Sequence, residues 1–196
     1  MTNAEIKVVQ KTIGTTADGF WGQKSDIACK RYIRSLMPTP HPFPTKSEIT
    51  AFFGRHGVKG GYTPPTKRIT LPFTVYYEGS PVKTLNPHVK CADRFLAAFH
   101  RLAEAFPTEA SRRAAGILTY DGLYNPRKMR GGSSMSMHAW AIAIDLDANR
   151  NGNTVHWPTG ACMPLLVMEC FAREGIAPAG ALWSRDAMHM EAVNPG

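Results

Sequence analysis

The sequence lacks an apolar run long enough to cross a bilayer, and it lacks the charged start and apolar stretch of a secretory signal. We therefore expect a protein that is made in a host cytoplasm, does not insert stably into a membrane, and reaches a target outside the cell only after release. Cysteine is also sparse, and no two cysteines show C-x-x-C spacing, which argues against a thiolate-ligated metal. The four cysteines are Cys29, Cys91, Cys162 and Cys170.

Acidic residues are too few to balance the basic ones, since 15 Asp and Glu stand against 23 Lys and Arg and leave a net charge of +8. Such a charge favours a polyanionic partner: nucleic acid, a membrane surface or an anionic cell wall. The basic residues are scattered and no nucleic-acid motif occurs, so we expect no nucleic-acid partner. A chain of 196 residues that is 43% hydrophobic suits one domain with its own core and a small additional module.

Helix and loop signals divide the chain into three parts. Residues 1–37 are expected to form a small module of two short helices, the first capped by Asn3 and the second by Ser25. Residues 38–44 are rich in proline and predict an extended linker. Residues 45–196 are expected to form the main domain.

The strongest helix signal in the main domain begins at Asn86-Pro87, where an asparagine cap precedes proline at the first helical position. His88 then lies at the start of that helix. We expect it at the surface rather than in a ligand set.

Candidate metal ligands occur in two stretches of the second half. Residues 141–147 alternate in polarity with the period of a strand, which puts Asp145 on the face opposite to the large apolar side chains. From His138 to Asp145 an extended chain would span about 23 Å, so the chain must fold back if both residues share one ion. His189 and Glu191 would share a face of a later strand. Two histidines and one carboxylate, with a position left open, are typical of a catalytic zinc site.

The order of these residues resembles a known family. The motif of that family is Ser-x-His-x-x-Gly-x-Ala-x-Asp followed by Glu or Asp-x-x-His, and it is matched here by Ser136, His138, Ala143, Asp145, Asp186 and His189. The family comprises zinc D-Ala-D-Ala carboxypeptidases and dipeptidases and L-alanyl-D-glutamate endopeptidases, including many phage endolysins. Ala141 stands where the family has glycine. Because glycine reaches backbone angles that alanine disfavours, an altered bend near the metal is left open.

The resemblance implies roles for the acidic and histidine residues. His138, Asp145 and His189 would hold one Zn²⁺ ion, and Asp186 would be the general base that takes a proton from water. Glu191 would support the ligands or contact substrate, and it is the reserve base.

The family also implies an arginine that faces the site and binds a substrate carboxylate or the developing oxyanion. Arg127 matches best, and Arg130 is the alternative. Ser136 is expected to contact substrate. Trp183 is expected either to form a wall of the cleft or to pack in the core.

The N-terminal segment resembles a peptidoglycan-binding repeat. The residues that carry this resemblance are Val9-Gln10, Gly14, Asp18-Gly19, Trp21-Gly22, Ser25, Ala28 and Tyr32. It implies that Asp18, Phe20 and Trp21 bind the wall. The alternative is a helical hairpin that only packs on the main domain.

These observations predict an α+β fold with a central, mainly antiparallel sheet, a zinc site on one face and helices behind. We expect a monomeric zinc peptidase of endolysin type whose partner is bacterial peptidoglycan. L-alanyl-D-glutamate endopeptidase is favoured, because a lytic protein must cut internally and the base is an aspartate. The alternatives are a D-Ala-D-Ala carboxypeptidase and a non-catalytic wall-binding protein with structural zinc, although structural zinc normally has four protein ligands.

Overall fold

The structure, a computed structural model, describes residues 1–129 and 131–196. In chain order its helices are α1 (Asn3–Thr12), α2 (Gln23–Leu36), α3 (Ile49–Phe53), α4 (Ala92–Ala105), α5 (Glu109–Ala114), α6 (Ala148–Asn151), α7 (Leu165–Ala172) and α8 (Ala179–Trp183). The strands are β1 (Ile69–Tyr77), β2 (Ser80–Leu85), β3 (Tyr120–Gly122), β4 (Ala143–Leu146), β5 (Ala177–Pro178) and β6 (His189–Glu191). Short 3-10 turns lie at Lys46–Glu48 and Met137–Trp140.

Two antiparallel sheets form the β part of the fold. β1 and β2 make a hairpin, and the second sheet has the strand order β3-β4-β6-β5. β4 and β6 are the two inner strands of this sheet, and all four residues of β4 are buried. Helix α4 packs against β1 and against α7, which encloses the core between helices and strands. The predicted α+β architecture is confirmed.

The N-terminal helices share this core. Cys29 and Ile33 of α2 are fully buried, and α2 packs on both α7 and α8. The caps differ from those expected, because Thr2 rather than Asn3 accepts the N–H of Glu5 in a reciprocal capping box. Division of the chain at residues 38–44 stays a prediction.

The segment before α4 corrects one expectation. The helix begins at Ala92 rather than after Asn86, and His88 is fully buried rather than at the surface. The backbone N–H of His88 donates to Ala141 O at 2.8 Å, and its ring lies edge-on to Phe53 with centroids 5.0 Å apart. These contacts hold residues 88–91 in a turn.

All four cysteines are free thiols, and three of them are buried. Burial raises the pKa of Cys29 to about 12 and that of Cys170 to about 11. The described helices include none with both the length and the apolar character of a membrane span.

Candidate metal centre

Three side chains from separate elements converge in the second sheet. Asp145 on β4 and His189 on β6 are directly opposite each other in the antiparallel register. His138 comes from the 3-10 turn before β4, after which the chain reverses at Ala141 with φ 57°. The predicted fold-back is therefore present, and alanine adopts the left-handed conformation that glycine would adopt more readily.

The ring nitrogens of the two histidines and the carboxylate of Asp145 lie close enough together to share one ion, with one ligand atom from each within 4.8 Å of the others. His138 Nε2 lies 3.2 Å from Asp145 Oδ2 and 3.3 Å from His189 Nδ1, and His189 Nδ1 lies 2.9 Å from Asp145 Oδ1. Ligand bonds of about 2 Å to a tetrahedral zinc ion place neighbouring donors about 3.3 Å apart. These residues can hold a metal ion.

Hydrogen bonds on the far side of each ring determine which nitrogen faces the cluster. His138 Nδ1 donates to the backbone oxygen of Leu123 at 2.8 Å, and His189 Nε2 donates to Glu191 Oε2 at 3.1 Å. If each ring carried only one proton, the other nitrogens would direct lone pairs at each other and at Asp145, and this repulsion is relieved either by further protons, which then form the hydrogen bonds to Asp145, or by a cation. The donor set therefore fits a metal.

The electrostatics of the cluster also favour positive charge. Although burial opposes ionisation of Asp145, hydrogen bonds from His138 and His189 hold the pKa of this carboxyl well below its usual value. Burial likewise disfavours a charged ring at His189, but the carboxylates of Asp145 and Glu191 outweigh it and raise the pKa of His189 to about 10. The cluster therefore attracts a cation.

Asp186 lies beside the cluster on the loop that leads into β6. Its backbone oxygen accepts the N–H of His189 at 2.9 Å, and its φ is 59°. Within the described part of the chain, its Oδ1 is a buried atom without a hydrogen-bond partner. Burial, partly offset by the positive field of His189, raises the pKa of this carboxyl. A free carboxylate that readily carries a proton suits a general base.

Glu191 is 2% exposed and supports His189 from behind. Its Oε2 binds the nitrogen on the far side of the ring, and its Oε1 pairs with Lys46 Nζ at 3.0 Å. This geometry suits the expected supporting role better than that of a reserve base. The sequence did not indicate Lys46, because a lysine in a capping segment carries no signal for such a contact.

A cavity of about 870 Å³ opens over the cluster. Its lining includes Lys46, Arg127, Ser136, Trp183, Arg185 and Asp186. Trp183 is 37% exposed, with Lys46 Nζ 4.4 Å from the centre of its ring, so it forms a wall of the cleft. The side chain of Arg127 donates to Lys128 O at 3.1 Å, and the buried Ser136 donates its backbone N–H to Arg127 O. The alternative Arg130 lies outside the described residues.

The three residues expected to bind the wall lie in the N-terminal segment and not in the lining of this cavity. Asp18 is engaged within its own turn, where Oδ1 accepts from Gln10 Nε2 and from the N–H of Phe20, each at 2.9 Å. Trp21 packs edge-on against Trp157 with centroids 5.3 Å apart. Phe20 is 73% exposed.

An open set of two histidines and a carboxylate, with a free carboxylate beside it, is the arrangement of a hydrolytic metal centre. A family model described as D-alanyl-D-alanine carboxypeptidase matches residues 130–192, a span that contains all three donors and Asp186. The match supports the relationship to this peptidase family and, with it, a metallopeptidase that acts on peptidoglycan. No curated protein and no solved structure shows significant similarity to the chain.

Proposed function

We propose that the protein is a zinc peptidase of endolysin type that hydrolyses an amide bond in the stem peptide of bacterial peptidoglycan. The observation that carries this proposal is the convergence of His138, Asp145 and His189 beside the free carboxylate of Asp186. The family match over residues 130–192 supports the same class of reaction.

The three donors would hold zinc, which supplies Lewis-acid chemistry that polarises a carbonyl and makes water more acidic. Asp186 takes a proton from the attacking water and returns it to the leaving amine. Arg127 stabilises the negative charge that develops on the carbonyl oxygen, or holds a substrate carboxylate. Trp183 and Ser136 form walls of the cleft against which the peptide lies.

We favour the bond between L-alanine and D-glutamate. Cleavage there frees the peptide cross-links from the glycan strands, as a lytic protein requires. In addition, an aspartate at the position of Asp186 resembles the endopeptidases of the family more than the dipeptidases, which use glutamate. The positive charges of Lys46, Arg127 and Arg185 around the cleft suit the carboxylates of a stem peptide. A D-Ala-D-Ala carboxypeptidase is the second candidate, because the matching family model carries that description.

Mass spectrometry of the fragments released from purified peptidoglycan distinguishes the two candidates. A new L-alanine C-terminus on the glycan-linked fragment is expected. Release of single D-alanine would instead establish the carboxypeptidase. Removal of the metal with a chelator should stop the release of either product, and added Zn²⁺ should restore it.

The variant Asp186→Ala tests the base. Turnover is expected to fall by about 10² to 10⁴-fold, the usual contribution of a positioned base, while the variant retains zinc because Asp186 is not among the three donors. Zinc content, measured by atomic emission after dialysis, provides the control. Unchanged turnover would remove Asp186 from the mechanism, and wall binding without any cleavage by the unmodified protein would favour the non-catalytic alternative.

A further inference from the structure

The loop that carries Asp186 has an unusual backbone. Ser184 and Asp186 both have left-handed angles, with φ of 61° and 59°. Residues other than glycine rarely adopt the left-handed region of backbone angles, so such a loop persists only where its surroundings hold it. The position of the base therefore depends on what holds this loop.

Several contacts from the main domain hold it in place. The N–H of Trp157 donates to Ser184 O at 3.0 Å. The backbones of Arg185 and His156 form an isolated antiparallel β-bridge. The N–H of Met188 donates to Asn151 O at 3.0 Å. All of these contacts are made through the backbone of the loop.

The hydroxyl of Ser184 makes a different contact, because it donates to Asp26 Oδ1 on the N-terminal helix α2. The other carboxylate oxygen of Asp26 accepts from Lys30 Nζ at 2.6 Å. Helix α2 also packs along α8, the helix that ends at Trp183, directly before Ser184. A residue far from the metal centre in sequence thus fixes the start of the loop.

We propose that Asp26 is a positioning residue for the general base. By accepting the Ser184 hydroxyl, it fixes the left-handed turn that directs Asp186 at the metal centre. The N-terminal helices are then part of the catalytic architecture as well as candidates for wall binding. The catalytic part of this inference rests on the proposed role of Asp186.

Steady-state kinetics on the full-length zinc-loaded protein test the proposal. Asp26→Ala is expected to lower kcat about 5- to 50-fold, because small misplacements of a catalytic group have effects of this order, while KM and the dissociation constant for zinc stay within about twofold. Ser184→Ala should have the same effect. The double variant should be no worse than the poorer single variant, because both remove one hydrogen bond. Asp26→Asn keeps an acceptor oxygen and should retain most of the turnover.

Two matched controls separate positioning from general packing. Lys30→Ala removes the other partner of Asp26, and Tyr32→Phe removes the hydrogen bond of 3.0 Å from α2 to Glu169 on α7. Both should keep the kcat of the unmodified protein. An equal loss of kcat in Tyr32→Phe, or an unchanged kcat in both Asp26→Ala and Ser184→Ala, would overturn the proposal.

Hydrogen exchange provides a readout that needs no peptidoglycan cleavage. Amides of residues 184–189 should exchange faster in Asp26→Ala than in the unmodified protein, whereas Lys30→Ala should leave them unchanged. If the unmodified protein released no fragment from peptidoglycan, the proposed function would fail, but this measurement would still decide whether Asp26 holds the loop. Equal exchange in all three proteins would refute it.

Discussion

Glu191 contacts His189 at Nε2, the ring nitrogen on the side away from Asp145. One of its oxygens accepts the far ring proton of His189, and the other pairs with Lys46. The carboxylate thereby fixes the ring orientation and makes the metal-facing nitrogen a better donor. Burial opposes ionisation of this carboxyl, but the hydrogen bond from His189 keeps its pKa below the usual value.

The variant Glu191→Gln is expected to weaken zinc affinity by about 10- to 100-fold, because the amide removes the negative charge behind His189. Competition with a chromogenic chelator measures the affinity. Glu174→Gln is the matched control, since Glu174 is also buried but pairs with Arg94 and Arg101 of α4. This control should lose stability and keep its zinc affinity. Equal affinities in both variants would contradict a role for Glu191 in holding His189.

Residue types, their order and the family resemblance were enough to predict that His138, Asp145 and His189 come together, because few side chains bind zinc. The partners that orient them were harder to predict. His138 is fixed by the backbone oxygen of Leu123, an acceptor that every residue carries and that no motif can distinguish. Lys46 reaches Glu191 only through the fold, across a long stretch of sequence.

At the scale of elements, the turn before β4 determines whether His138 reaches the other donors. Alternation in the sequence predicted a strand over residues 141–147, but β4 covers only Ala143–Leu146. Ala141, two residues before this strand, and Asp147, directly after it, are left-handed, with φ of 57° and 54°. A period of two residues predicts the strand but not the backbone angles that end it.

The variant Ala141→Val should destabilise the protein by about 3 kcal/mol, because a branched side chain is strained at positive φ and the site is fully packed. Ala141 is 0% exposed. Urea unfolding measures the loss. Ala110→Val on the exposed face of α5 is the control and should cost about 0.5 kcal/mol. Equal stabilities of the two variants would show that the turn tolerates a larger residue.

We expect the stability of the folded protein to depend on pH through the ionisation of His88, which lies in the turn before α4. Its Nδ1 accepts the N–H of Lys90 at 3.1 Å and its Nε2 donates to Phe53 O at 3.0 Å, so both nitrogens are satisfied by a neutral ring. Burial lowers the pKa of His88, and the nearby Lys90 adds to this effect. The folded state therefore binds fewer protons than the unfolded state, whose histidine pKa is about 6.5.

The contribution of His88 to stability is present above pH about 6.5 and is lost as the pH falls towards its lower folded value. Unfolding of the unmodified protein and of His88→Gln, measured at several pH values from about 7 to about 5, isolates this contribution. The variant should lose less stability over that interval, because glutamine does not titrate. Parallel losses would mean that His88 is not the responsible group.

At the scale of the whole molecule, the N-terminal segment has a buried side and an exposed side. Ile33 and Cys29 lie in the common core, whereas Val8, Phe20 and Ile27 expose 63%, 73% and 58% of their area. The two helices were predictable from their apolar spacing. Their packing on α7 and α8 was not, because a short amphipathic hairpin gives no indication of which surface it covers.

In the variant Phe20→Ser, a smaller fraction of the protein should sediment together with purified cell walls, while the turnover of a soluble stem peptide stays unchanged. We expect this because Phe20 is exposed and is not among the residues that line the cleft. Val58→Ser, at a position that is 52% exposed, is the control and should bind walls normally. Loss of wall binding in both variants, or in neither, would argue against recognition through Phe20.

The four free thiols determine which redox environments are compatible with the fold. All four cysteines are free and the three donor residues of the candidate metal centre offer nitrogen and oxygen atoms, so neither a disulfide nor a sulfur ligand holds the described fold or this centre together. If the proposed function is right, the protein can fold in a reducing cell interior and act in an oxidising space without forming or breaking a disulfide.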